Sequence, residues 1–288
     1  MIDEEVRRFL IPRLFNAAVK GGAAIMGVYH EKGGCEVTIK SDKTPLTEAD
    51  RLAHKTIRDA LGITRIPILS EEGREMRFEE RANWELYWLV DPLDGTAEFI
   101  KGNHEFTVNI ALMENKICIW SVVYVPYFGK MYFAERGRGA FLKEGVTADA
   151  EAEYSYEEVF SGLQQLPFAK EARHEHLRVG VSRSYRNADT DRVIDFLRGL
   201  HPDLELVAQG SSYKFCLLAE GRIDYYPRTS PTYEWDTAAG ELILAESGGR
   251  TDILTADGIG GKLRYNEECL ENPWFVARSG YCPEIRKE

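Results

Sequence analysis

The stretch WLVDPLDGTAEFI, residues 88–100, decides how the chain is read. Tyr87 to Val90 is an apolar run of strand length, and Asp91 and Asp94 follow it at once. Pro92 cannot donate to a strand ladder, and Gly95 admits backbone conformations that other residues avoid, so the main chain turns sharply here. Such a turn would present Asp91, the Leu93 carbonyl and Asp94 inward at the end of a strand. Taken alone, Asp-Gly is also a common solvated turn.

Two more acidic clusters change the weighing. Ser70-Glu71-Glu72-Gly73 directly follows a short apolar run ending at Leu69, and Asp236 follows Trp235 at the start of an alanine-rich helical stretch. Carboxylates at strand ends in separate parts of one chain can converge on one point. No histidine or cysteine accompanies them, and oxygen-only ligation selects a hard cation, magnesium before calcium, over zinc. Two Mg²⁺ ions would cancel the four negative charges of Glu71, Asp91, Asp94 and Asp236, and the centre could then accept a phosphate.

Composition agrees with that chemistry. The 288 residues suggest one large domain or two intimate halves, and 44% hydrophobic content supplies a core. A formal net charge of −11 disfavours nucleic acid as a partner. An acidic protein must reverse its field locally to hold a phosphate, by a metal or by converging Lys and Arg. The five cysteines, at 35, 118, 216, 269 and 282, form no CxxC pair, so no disulfide framework or zinc site is expected and a reducing cytoplasm fits best. The longest apolar stretch, Ile117 to Val125, is too short to span a bilayer.

Outward from the motif, the first thirty residues are predicted as an amphipathic helix with Val6, Phe9, Leu10, Leu14, Ala17 and Ala18 on its apolar face, bent or interrupted at Pro12. A second helix is predicted over Thr47 to Leu61, capped by Thr47 with Asp50 in capping-box position. Segments at Ile66–Leu69, Tyr87–Val90, Phe106–Leu112, Ile117–Tyr124 and Met131–Ala134 read as strands of an antiparallel sheet. Residues 143–176 read as a boundary with a variable surface excursion. Beyond it, strands at Leu177–Val181, Leu204–Ala208 and Ile223–Tyr226 alternate with helices at Asp189–Leu200, Ser211–Ala219 and Thr237–Ser247. The expected division is residues 1–145, with most of the acidic ligands, and 146–288, with Asp236 and the residues that choose a substrate.

The three acidic motifs, in this order, resemble the signatures of the inositol monophosphatase superfamily. The likeness extends to PLTEAD (45–50) and GSSYKFCLLAEGRIDYYPR (210–228), which are most similar to the bacterial CysQ-type 3′(2′),5′-bisphosphate nucleotidase branch. It covers roughly residues 5 to 275 and departs from the branch at Ala97, where a lysine is common. The resemblance implies an α+β fold, the layered α/β/α/β/α sandwich of the inositol monophosphatase and fructose-1,6-bisphosphatase type. It implies two or three Mg²⁺ ions held by Glu71, Asp91, the Leu93 carbonyl, Asp94 and Asp236. It further implies a scissile phosphate held at Gly95 and Thr96, water activation by Thr96 with Asp50, and inhibition by Li⁺.

Ser211, Ser212, Lys214 and Arg228 are the candidates to grip the remainder of the substrate, with Arg183 beside them. The expected substrate is adenosine 3′,5′-bisphosphate, cleaved at its 3′-phosphate. The alternatives are an inositol or sugar phosphate on the same scaffold, or a non-catalytic protein that binds a phosphorylated metabolite.

Overall fold

The structure is a computed structural model that describes residues 3–30, 37–39, 45–168, 176–255 and 258–282. Cys35 and residues 169–175 of the expected boundary segment lie outside the described residues. The chain opens with α1 (Glu4–His30), the short hairpin β1 (Val37–Ile39) and β2 (Pro45–Thr47), and α2 (Glu48–Gly62). A sheet follows, built from β3 (Ile68–Ser70), β4 (Leu86–Asp94), β5 (Thr107–Glu114), β6 (Ile117–Val125), β7 (Lys130–Glu135), β8 (Gly139–Lys143) and β9 (Gln164–Gln165). Its strands lie in chain order. Short helices α3 (Phe78–Arg81), α4 (Thr96–Lys101) and α5 (Tyr156–Phe160) interrupt it.

The second part comprises β10 (Arg178–Ser182), α6 (Ala188–Leu200), β11 (Glu205–Gln209), α7 (Tyr213–Glu220), β12 (Tyr225–Arg228), α8 (Glu234–Glu246), β13 (Arg250–Thr255), β14 (Gly258–Ile259) and β15 (Phe275–Arg278). Its sheet runs in the order β11-β10-β12-β15-β13-β14.

Strand periodicity creates the layers. Along β4 and β5, Trp88, Val90, Val108, Ile110 and Leu112 pack with Leu14, Phe15 and Ile57 of α1 and α2. The alternate residues Tyr87, Leu89, Ala111 and Met113 pack with Leu217, Leu242 and Ile243 of α7 and α8. Those two helices in turn contact Phe275 and Ala277 of the second sheet. The outer face of that sheet, through Val179, Val181 and Val276, receives Ile194 and Leu197 of α6. The result is the expected α/β/α/β/α sandwich. Tyr87 and Trp88 are wholly buried on opposite faces of β4, and each such aromatic contributes roughly 4–6 kcal/mol of transfer free energy before conformational entropy is charged against it.

Several local expectations are corrected. The sheet is antiparallel from β4 onward, but β3 joins β4 in parallel, because residues 71–85 form a crossover instead of a hairpin. α1 runs unbroken through Pro12. Val6 and Phe9 are exposed; the buried face of the first turns is set instead by Arg7, whose Nε and Nη2 donate to the two oxygens of Glu135 at 2.7 and 2.6 Å. The described part of the 143–176 segment is more than a surface excursion: Val146, Ala152 and Val159 are buried in the α1–α2 core, and β9 pairs with β8. Among the described residues, no helix is long and apolar enough to cross a membrane.

Candidate active site

β4 ends in a bulge. Asp91 pairs with Asn109 and Asp94 with Thr107, so Pro92 and Leu93 together oppose the single Val108. Proline supplies no ladder donor, and the extra residue bends the strand where its two aspartates sit. Gly95 then turns the chain into α4 with φ of 92°. A Cβ there would stand 3.1 Å from the Glu105 carbonyl oxygen and 3.2 Å from the Ser211 Cβ, so glycine is required both by its dihedral and by the space available.

Asp236 arrives from the opposite side, in the first turn of α8, where its Oδ2 accepts the Tyr233 N–H at 2.7 Å. The start of α8 is itself fixed by buried Glu234, whose carboxylate accepts the Asn266 and Glu267 N–H groups at 2.6 and 2.9 Å. Carboxylate oxygens of Asp91, Asp94 and Asp236 thereby come within 4.8 Å of one another. Glu71, just past β3, faces the same cleft, whose volume is about 490 Å³.

The electrostatics of this cluster follow from that crowding. Burial, followed by the charges of Glu71, Asp94 and Asp236, holds the Asp91 carboxyl well above the usual carboxylate range. Burial, and then Asp94 and Glu71, push Asp236 up to about 8. Such groups cannot all ionise together without a cation between them. Among the described residues the buried Oδ2 of Asp91 has no hydrogen-bond donor, a position that a metal ion would satisfy. An all-oxygen donor set around an orphaned carboxylate oxygen fits a hard divalent cation.

Beside the cluster, the Thr96 hydroxyl donates to Asp50 Oδ1 at 3.0 Å. The other oxygen, Oδ2, accepts the Thr47 N–H at 2.7 Å and the Thr47 hydroxyl at 2.6 Å. Asp50 therefore caps α2 with one oxygen and meets the Thr96 hydroxyl with the other.

The far wall of the cleft carries Ser211, Ser212, Lys214 and Arg228. Lys214 is not a solvated surface cation. It is buried, its ammonium donates to the Gln209 and Ser211 carbonyls at 3.0 and 2.6 Å, and burial lowers its pKa to about 8. Arg228 Nε and Nη2 donate to the Ser230 and Pro231 carbonyls at 3.2 and 3.0 Å. Arg183 is outside the cleft lining; its guanidinium forms a two-pronged pair with Glu105, both contacts 2.7 Å, and also donates to the Ala208 carbonyl.

Sequence reading missed Thr107, Asn109 and Glu105. Glu105 accepts the Gly210 N–H at 2.7 Å, holding the turn before Ser211. Thr107 and Asn109 were discoverable: they are polar residues two apart in an otherwise apolar strand, and therefore on one face of it.

The profile of the inositol monophosphatase family matches residues 6–280. The 3′(2′),5′-bisphosphate nucleotidase CysQ of Shigella flexneri is 39% identical over 269 residues, 92% of this chain and 98% of that protein. A crystal structure of CysQ from Bacteroides thetaiotaomicron superposes with a TM-score of 0.82 at 39% identity, covering 93% of this chain and 96% of that one. The suhB protein of Bartonella henselae shares the fold, with a TM-score of 0.72 at 24% identity over 94% of this chain and 93% of its own. With sequence and fold in agreement from end to end, this chain belongs to the inositol monophosphatase family.

Proposed function

We propose that this chain is a magnesium-dependent phosphatase that removes the 3′-phosphate of adenosine 3′,5′-bisphosphate, giving AMP and inorganic phosphate. The observation that carries the reading is the meeting of the Asp91, Asp94 and Asp236 carboxylates within 4.8 Å, on a cleft also lined by Thr96, whose hydroxyl donates to Asp50. The CysQ relatives support the choice of substrate.

Glu71, Asp91, the Leu93 carbonyl, Asp94 and Asp236 would hold two or three Mg²⁺ ions. Bound magnesium supplies Lewis-acid stabilisation of the phosphoryl and leaving oxygens and makes water a stronger nucleophile. The chain's own residues supply position and proton transfer. Gly95 and Thr96 would seat the scissile phosphate at the start of α4. As water attacks phosphorus, its proton passes to Thr96 Oγ1 while the Thr96 proton passes to Asp50 Oδ1. The P–O3′ bond breaks and the ribose oxygen takes up a proton from solvent. No side chain becomes phosphorylated.

Lys214 and Arg228 would meet the second phosphate. An ammonium has three donors and a guanidinium five, so the two committed to carbonyls in each case leave others for the cleft. A volume near 490 Å³ suits a nucleotide-sized ligand. In this reading residues 1–145 carry most of the metal ligands, and residues 146–288 carry Asp236 and the specificity groups.

The test is a panel of phosphate monoesters compared by kcat/KM in Mg²⁺. Adenosine 3′,5′-bisphosphate should lead. Inositol 1-phosphate as the better substrate would replace the nucleotidase reading, and no turnover of any ester would leave a binding protein.

A further inference from the structure

Behind Asp94 lies a buried chain of hydrogen bonds with no assigned role. The Ser212 N–H donates to Asp94 Oδ2. The Ser212 hydroxyl donates to Asn109 Oδ1 at 2.7 Å, and Asn109 Nδ2 reaches the same Asp94 oxygen at 3.5 Å. Thr107 Oγ1 lies 2.8 Å from Ser212 Oγ. Asn109 Oδ1 can only accept, so the single Ser212 proton points to it and Thr107 must be the donor to Ser212. The chain thus has one direction, Thr107 to Ser212 to Asn109 to Asp94. All three partners are almost fully enclosed, with 0%, 4% and 1% of their surfaces exposed for Thr107, Ser212 and Asn109.

We infer that Asn109, Ser212 and Thr107 are positioning residues that fix the carboxylate of Asp94 for metal binding, and that Ser212 serves this purpose instead of gripping substrate. Both donors fall on Oδ2, so Oδ1 is the oxygen left to face a cation. The Ser212 hydroxyl has its proton and an acceptor site engaged inside the protein. Asp94 belongs to the first sheet and Ser212 directly precedes α7, so the device also fixes the second half of the chain against a ligand carried by the first. It works because β5 points Thr107 and Asn109 toward α7, on the same face as Ala111 and Met113. Partners behind metal ligands of this kind typically govern 10–100-fold in metal affinity.

This inference rests on the metal reading proposed above, and its test separates the two. Ser212→Ala retains the N–H and removes the hydroxyl, whereas Asn109→Leu removes both ends of the amide bridge at similar volume. The thermal midpoint is followed against MgCl₂ without substrate, and phosphate release against MgCl₂ with it. Wild type should gain stability with Mg²⁺. Each variant should need roughly tenfold more Mg²⁺ for half of that gain and for half-activation. The double variant should be no worse than the weaker single, because the residues act as one chain. At saturating Mg²⁺ the KM for a bisphosphate and for a simple monoester should both match wild type. If Asn109→Leu fails to fold, Ser212→Ala decides alone. Wild-type Mg²⁺ dependence in Ser212→Ala, or a raised KM confined to the bisphosphate, overturns the inference while the metal reading stands. Absence of any Mg²⁺ response in wild type removes both.

Discussion

The two walls of the cleft differ in how their charge is held. On one side, Asp91 and Asp236 are acids crowded together, Asp91 buried and Asp236 partly so, and the Asp91 Oδ2 meets no hydrogen-bond donor among the described residues. On the other, the cations Lys214 and Arg228 each already donate to two backbone carbonyls. The first wall is therefore costly until a cation arrives, whereas on the second each charge is already anchored by the backbone. In the proposed reading, unmet charge marks the place of the chemistry and anchored charge the place of recognition. A cation fixed by carbonyls meets its ligand with little further ordering, which favours affinity.

The most severe way to break this asymmetry is to remove charge from the acidic wall. Asp94→Asn should keep the fold and lower kcat by more than about a hundredfold, beyond the 10–100-fold effect of partners one shell out. A change below tenfold in steady-state assays would remove Asp94 from the ligand set. Next in size is the proton path. Thr96→Val preserves shape but deletes the hydroxyl between water and Asp50, and kcat should fall by about 10²–10⁴-fold with Mg²⁺ activation unchanged. If Mg²⁺ activation shifts and kcat at saturation does not, Thr96 is no part of the proton path.

The second wall should respond more gently and more selectively. Arg228→Ala and Lys214→Ala should each lower kcat/KM for adenosine 3′,5′-bisphosphate by about 10–100-fold, the scale of one charge-assisted contact. A simple phosphate monoester should be nearly spared. Equal losses on both substrates would place these cations in service of the turn alone.

The smallest effect concerns stability. Burial lowers Lys214 to about 8 in the folded protein, whereas an unfolded lysine titrates near 10.4. Between those values the unfolded chain binds the extra proton, so folded stability rises with pH through this window. Urea midpoints of wild type and Lys214→Met, compared at pH 7.5 and pH 10, should move apart in favour of wild type. A constant difference would mean that Lys214 titrates normally.

The same comparison explains what could be read in the sequence. The acidic wall was legible because each part has a local signature: apolar run, then Asp-Pro-Leu-Asp-Gly-Thr, and a capping position for Asp50. The layered fold followed from the same motifs. The second wall was read only as residue types, since burial of Lys214 depends on α7 packing between two sheets, and no local pattern announces it. β12 extends two residues past the expected Tyr226 because Pro227 sits where pairing with β10 has already ended at Tyr225, so its missing N–H costs nothing there. Phe9 was misassigned because Arg7, usually a solvent residue, takes the buried face of α1 by pairing with Glu135 across the fold. The bridge from Asn109 to Asp94 joins strand neighbours, but Ser212 enters from more than a hundred positions away, beyond the reach of any spacing rule.

In the proposed mechanism a divalent cation at the acidic wall is indispensable, and the most direct measurement is phosphate release from adenosine 3′,5′-bisphosphate with Mg²⁺ and after exhaustive EDTA treatment. Release of one phosphate with AMP as the other product, abolished by EDTA and restored by Mg²⁺, is the expected result. An undiminished rate in EDTA would contradict it.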